Sequence, residues 1–127
     1  MKPSVLIVDD EKLIRFSLAR LLSDEYITYE ACNGKEALDI IGQNSNIDVV
    51  ISDIMMPVID GIELIEKVRL ENKDIIIIAI TAVHSGEIVT EVLEKGANQC
   101  LMKPFDIPQL RLTLKKLIKN KITNRME

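Results

Sequence analysis

The sequence predicts an α/β domain built on a doubly wound, five-stranded parallel sheet. Short aliphatic runs alternate with stretches of helical periodicity, giving five strand–helix units within 127 residues. The run at residues 75–80 is aliphatic without polar interruption, as in a strand covered on both faces. Closing a barrel would take eight such units and a longer chain, so five units make an open sheet.

The first strand is the run Val5-Leu6-Ile7-Val8. Ile14, Leu18, Leu21 and Leu22 then follow the i, i+4, i+7, i+8 spacing of a helix packed on one face. Residues 28–31 form a short second strand, closed by the turn signal Asn33-Gly34. Ala37, Leu38 and Ile41 mark the second helix, with Gly42 as its expected C-cap. Val49-Val50-Ile51-Ser52 is the third strand. Asp60 caps a third helix whose inner stripe is Gly61, Leu64, Ile65 and Val68. The aliphatic run at 75–80 is the fourth strand. Ser85 is the expected cap of a fourth helix bearing Val89, Val92 and Leu93 and stopping at Gly96. Gln99-Cys100-Leu101-Met102 is a short fifth strand. Asp106 and Pro108 open the fifth helix, with Leu110, Leu114, Leu117 and Ile118 inward. Strands one, three and four are the most apolar and belong in the centre, which matches the flavodoxin-like (βα)5 order 2-1-3-4-5. The domain is expected over residues 1–120, with 121–127 a frayed polar tail or the start of a linker.

Composition narrows the function classes. Hydrophobic residues at 47% and charged residues at 28% are an ordinary globular balance. A net charge of −4 argues against direct nucleic-acid binding, which needs a basic footprint. The longest aliphatic run is far short of the roughly 20 residues that span a bilayer. Met1-Lys2-Pro3-Ser4 leads directly into a strand, so no signal peptide is expected. Cys32 and Cys100 show neither CxxC spacing nor a disulfide framework, which fits a reducing cytoplasm.

The chemistry lies where strands end. The first strand gives out into Asp9-Asp10, the third into Asp53, and the fifth into Lys103-Pro104. In a parallel sheet these carboxyl ends share one edge, where ligands bind. Crowded carboxylates repel unless a cation lies between them, and an all-oxygen set suits Mg²⁺, which also accepts phosphate oxygens. The pattern points to phosphoryl chemistry. Taken singly, Asp9 or Asp10 could cap a helix, Asp53 could be a solvated loop residue and Lys103-Pro104 a loop; their convergence carries the reading. His84 reads as a solvated loop residue, the methionines as packing, and Lys115, Lys116, Lys119 and Lys121 as a solvated helix end.

Asp9-Asp10-Glu11, Asp53 with Met55-Met56-Pro57 and Gly61, Thr81-Ala82, and Lys103-Pro104-Phe105 together resemble the receiver domain of two-component response regulators, over roughly residues 4–119. The resemblance implies a phosphoacceptor signalling domain rather than an enzyme acting on other molecules. Asp53 would attack the phosphoryl group on the phosphohistidine of a sensor histidine kinase or phosphotransfer protein. Asp10, Asp53 and the Met55 carbonyl would bind Mg²⁺, with Asp9 acting mostly through a metal-bound water. Lys103 and Thr81 would each engage a phosphoryl oxygen, and a cis Lys103–Pro104 bond would aim the ammonium inward. The kinase would dock where the first helix begins, at Leu13, Ile14 and Ser17. The face of helix four, strand five and helix five would serve output or a phosphorylation-dependent homodimer.

Two departures from the family pattern stand out, at Cys100 and at the pair Met55 and Val83. Cys100 stands where a Tyr, Phe or His usually swings inward, so the aromatic half of the usual switch is missing and movement of the Thr81 loop is expected to carry it. Met55 and Val83 are apolar where polar residues often order the attacking water, so slow phosphate loss is expected. Three other classes fit less well. An Asp-nucleophile phosphatase would want Asp-x-Asp and a cap domain, and a nucleotide-binding module would want a Gly-rich first turn. A receiver-like module that is never phosphorylated would not need the complete acidic set.

Overall fold

The computed structural model describes residues 2–44, 46–56 and 60–126, so Met1, Ser45, Pro57, Val58, Ile59 and Glu127 lie outside it. Five strands alternate with five helices: β1 (Ser4–Val8), α1 (Lys12–Leu22), β2 (Ile27–Ala31), α2 (Gly34–Gln43), β3 (Val49–Asp53), α3 (Gly61–Glu71), β4 (Ile76–Thr81), α4 (Gly86–Lys95), β5 (Gln99–Met102) and α5 (Ile107–Met126). The strands form one parallel sheet in the order β2-β1-β3-β4-β5, as the sequence predicts.

Side chains alternate across a strand, so an unbroken aliphatic run fills two cores. Val5, Ile7, Val49, Ile51, Ile76, Ile78 and Ile80 pack on one face with Leu18, Leu22, Leu110 and Leu114 from α1 and α5. Leu6, Val8, Val50, Ile77 and Ala79 pack on the other with Ala37, Leu64, Ile65, Val68 and Val92 from α2, α3 and α4. Burying one such aliphatic side chain is worth about 1.5–3 kcal/mol. A polar substitution in these strands therefore threatens the whole scaffold under the site.

Helix ends depart from expectation in informative ways. Asn33 caps α2 by accepting the Glu36 N–H at 2.8 Å, and Gly34 is the first helical residue rather than part of a free turn. The helix runs past Gly42 to Gln43 and is closed by Asn44, whose N–H donates to the Ile40 carbonyl. Asp60 caps α3 as predicted, accepting the Glu63 N–H at 2.8 Å. Ser85 holds the cap position of α4 but makes no capping bond with its side chain. Of the stripe expected on α4 only Val92 is buried, and Leu93 is 44% exposed; Ile88 packs inward instead, one turn ahead of Val92. Likewise Leu21 of α1 is 46% exposed and Ala19 takes the inner position. α5 continues through the stretch expected to fray, as far as Met126.

Candidate functional site

β1, β3 and β5 deliver the three charges by the same alternation. Asp9, Asp53 and Lys103 each follow by two residues a side chain that packs on the α1/α5 face, namely Ile7, Ile51 and Leu101. Pairing aligns them: Val8 lies opposite Ser52, and Thr81 opposite Met102. Thr81 follows Ala79 and so rises from the opposite face, at the same edge.

The resulting crevice is tightly wired. Asp53 is 6% exposed; its Oδ1 accepts the Met55 N–H at 2.9 Å and its Oδ2 lies 3.0 Å from Lys103 Nζ. Asp9 is 4% exposed and its Oδ1 accepts the Glu11 N–H at 2.8 Å, while Asp10 is exposed. Asp9 thus orders the turn before α1, whose cap position Glu11 occupies. Thr81 is fully buried, and its Oγ1 accepts the Val83 N–H at 2.9 Å, which leaves the hydroxyl hydrogen to donate. The Lys103 N–H donates to the Thr81 carbonyl at 2.8 Å, and the Lys103–Pro104 bond is cis. Met56 is buried in the core, whereas Met55 is 65% exposed beside the crevice.

Gly61 sits directly beneath the acidic loop. Its N–H donates to the Ile54 carbonyl at 3.0 Å, and a Cβ there would lie 2.3 Å from the Ile54 Cα and 2.5 Å from the Asp53 carbonyl oxygen. No side chain fits that gap.

Oxygens of Asp9, Asp10 and Asp53 all lie within 4.8 Å of one another. One ammonium against three carboxylates leaves the crevice anionic. Burial, then the nearby Asp53 and Asp10 charges, hold the Asp9 carboxyl above its ordinary range despite the Glu11 N–H and the Lys103 ammonium. Burial alone would lower Lys103, but its bond to Asp53 and the charges of Asp53, Asp9 and Glu11 raise it. A hard divalent cation fits this set of oxygen donors, and Mg²⁺ is the cation that combines a few carboxylates with phosphate.

A carboxyl whose folded pKa is raised favours the fold below its unfolded pKa, and loses that contribution as pH rises through the folded pKa. At neutral pH the ionised Asp9 therefore opposes folding of the metal-free protein. Asp9→Asn, which keeps an acceptor for the Glu11 N–H, is expected to raise the metal-free Tm by about 3 °C. A divalent cation held by the acidic trio would raise the Tm further, and Asp9→Asn should reduce that rise. Thermal unfolding with EDTA and with Mg²⁺ measures both.

Two residues that the sequence reading did not single out as site residues contact the main chain of residues lining this crevice. Arg15 donates from Nη1 to the Asp9 carbonyl at 2.8 Å and pairs through Nε with Glu30 at 3.2 Å, holding the Asp9 backbone against β2. A cation one turn into the helix after an acidic strand end was the available signal. His84 is exposed, as expected, yet its Nε2 lies 2.7 Å from the Lys103 carbonyl oxygen. Nothing local to His84 marks that contact.

The response regulator receiver domain family matches residues 5–115 of this chain. The sporulation initiation phosphotransferase F of Bacillus subtilis (strain 168) is 36% identical over 119 residues, covering 93% of this chain and 95% of that protein. The response regulator MprA of Mycobacterium sp. (strain KMS) is 37% identical over 120 residues, and the chain spans 52% of its length. Among solved structures, the Vibrio cholerae chemotaxis protein CheY4 superposes with a TM-score of 0.87 at 35% identity, covering 92% of this chain and 99% of that one. A CheY-like receiver domain protein from Methanospirillum hungatei JF-1 reaches a TM-score of 0.92 at 27% identity, covering 98% and 99% of the two chains. With the paired aspartates, the third strand's carboxylate and the Lys-Pro turn meeting at one sheet edge, this chain belongs to the response regulator receiver domain family, a phosphoacceptor module of two-component signalling.

Proposed function

We propose that Asp53 is the phosphorylated residue, receiving a phosphoryl group from the phosphohistidine of a sensor histidine kinase or phosphotransfer protein. The observation that carries this is the buried Asp53 carboxylate, held by one ammonium and one backbone N–H within a trio of acids. An Asp53 oxygen attacks phosphorus while the P–N bond to the donor imidazole breaks; the electron pair leaves with nitrogen, which takes up a proton. Carboxylates are competent nucleophiles for this transfer, and positioning and charge neutralisation supply most of the catalysis.

Lys103 exchanges its Asp53 oxygen for a phosphoryl oxygen, and Thr81 donates its hydroxyl to another. Asp9, Asp10, Asp53 and the Met55 carbonyl would hold Mg²⁺, which would neutralise charge on the acids and the incoming phosphoryl group. The receiver domain is assigned to residues 1–120, and 121–127 to a polar C-terminal tail or the start of a linker, into which α5 runs as far as Met126. Among the described residues no helix is long and apolar enough to cross a membrane, and the working compartment is proposed to be the cytoplasm.

Partners follow from the surface beside the crevice. Leu13 is 81% exposed, and with Ile14 and Ser17 it edges a groove of about 310 Å³ that Phe105 and Ile107 complete. This is the proposed docking face of the phosphodonor. A phosphorylation-dependent homodimer through α4, β5 and α5 would use Leu93 and Met102, each under half exposed. Incubation with acetyl phosphate and Mg²⁺ is expected to add one phosphate by intact mass, and EDTA to prevent it. No adduct, with Mg²⁺ binding demonstrated, would favour a binding module that is never phosphorylated.

Lifetime of the product should be long. Met55 and Val83 present apolar side chains to a groove that Ile54, Met56, Ile62, Ile88 and one acid, Asp60, also line, and neither side chain offers a strong hydrogen-bonding group to a hydrolytic water. The phosphorylated protein is expected to persist for minutes or longer after the donor is removed, followed by intact mass. Decay within seconds would show that water is ordered by other groups.

A further inference from the structure

Phosphorylation at Asp53 has to be felt elsewhere on the molecule, and Cys100 offers no aromatic ring to report it. Lys103 is the residue best placed to start such a signal, because it is tied at three points. Its Nζ lies 3.0 Å from Asp53 Oδ2, its N–H donates to the Thr81 carbonyl at 2.8 Å, and its carbonyl oxygen lies 2.7 Å from His84 Nε2. A carbonyl can only accept, so the imidazole carries its hydrogen on Nε2 and donates. His84 is thereby the one side chain among the described hydrogen bonds that links the β4–α4 loop to the backbone of Lys103. It stands two residues before Gly86, where α4 begins, and the cap residue between them, Ser85, makes no side-chain capping bond. Beside the Val89 N–H that donates to the Ser85 carbonyl at 3.1 Å, His84 thus gives the start of α4 a tie from outside the helix.

We propose that His84 is a positioning residue that carries the state of Asp53 from Lys103 to the first turn of α4. This rests on the phosphoacceptor reading above. When a phosphoryl group takes the place of the Asp53 oxygen, the Lys103 ammonium follows the new charge. Its backbone shifts with it, and the hydrogen bond passes that shift through the imidazole to Ser85 and Gly86. Thr81, bound to the same lysine through its own carbonyl, moves with the strand end; His84 extends the movement to the helix. A bond of this kind can bias a two-state loop only if it differs between the two states. The effect of His84 therefore falls on the response of α4 and leaves phosphoryl uptake itself unaltered.

The test uses the whole chain, 15N-labelled, with Mg²⁺ alone and with Mg²⁺ plus beryllofluoride as the phosphoryl mimic. In the wild type, beryllofluoride is expected to shift amide resonances around Asp53 and Lys103 and also those of Gly86, Glu87 and Ile88. In His84→Ala the first group should shift as before, while the α4 group shifts at least about two-fold less. His84→Gln, whose amide supplies a donor at similar reach, should restore it. A purely structural role would move the spectrum without beryllofluoride and leave the response intact. Unchanged α4 shifts in His84→Ala, or no recovery in His84→Gln, overturn the positioning role of His84 while the site reading stands. A wild type blind to beryllofluoride, with Mg²⁺ binding demonstrated, overturns both.

Discussion

Asp53→Asn is expected to abolish phosphoryl uptake from acetyl phosphate, with the adduct seen by intact mass falling below detection, a loss of at least about 10³-fold. The amide oxygen is a poor nucleophile toward phosphorus, and no other acid can substitute for it easily. Asp10 is exposed, and Asp9 accepts the Glu11 N–H through one oxygen. Neither forms a hydrogen bond with Lys103, whose ammonium lies on Asp53 Oδ2. The fold should survive, because the asparagine oxygen still accepts the Met55 N–H and removal of one acid relieves repulsion within the trio. Circular dichroism therefore separates lost chemistry from lost structure. An adduct of undiminished yield in a folded Asp53→Asn protein would place the phosphate on another residue and sink the assignment.

Gly61→Ala is expected to produce the largest loss of stability of any single methyl addition near the site. The new Cβ would meet main chain at 2.3 and 2.5 Å, on Ile54 and Asp53, and main chain cannot swing aside as a side chain can. Either α3 moves outward, opening the packing of Leu64, Ile65 and Val68 against the sheet, or the Asp53–Ile54 segment is pushed toward the crevice. Overpacking typically costs 1–3 kcal/mol, and a backbone clash this close belongs at the upper end, about 3 kcal/mol. For a domain of this size that corresponds to a Tm lower by roughly 10 °C. Because the displaced segment carries the acceptor, phosphoryl uptake should slow even where the variant remains folded. A Tm within about 1 °C of wild type would mean that α3 is free to reseat without cost. Gly42→Ala is the natural control, since a Cβ there meets nothing within 4 Å.

These two glycines illustrate what a sequence leaves unsaid. By sequence Gly42 reads as a stop, yet it is an open position one residue short of the end of α2; Gly61 reads as part of an apolar stripe, yet it is the point where helix and strand end touch. A missing side chain looks the same in both places, and only the neighbours differ. Helix faces differ from their apolar stripes for a related reason. Leu21 and Leu93 satisfy apolar periodicity, but a stripe wider than the contact surface leaves one edge outside, and which edge depends on how the helix is set against the sheet.

Strand content, parallel order and the candidate acids were legible because each rests on a local or additive signal. Aliphatic runs announce strands buried on both faces, and charge at the end of such a run announces the edge of the sheet where ligands gather. Local signals in the sequence therefore determined the architecture and the candidates Asp9, Asp10, Asp53 and Lys103, while the resemblance of the combined motifs supplied the family and added Thr81. Tertiary structure decided how they are wired. It made Asp9 buried and Asp10 exposed, set Lys103 on Asp53, braced Asp9 with Arg15, and tied His84 to the lysine's carbonyl. Those contacts join residues as far as 50 positions apart, through atoms whose direction is set by strand pairing and loop course. Periodicity is a property of neighbours in the chain, and hydrogen bonds across a crevice depend on neighbours in space.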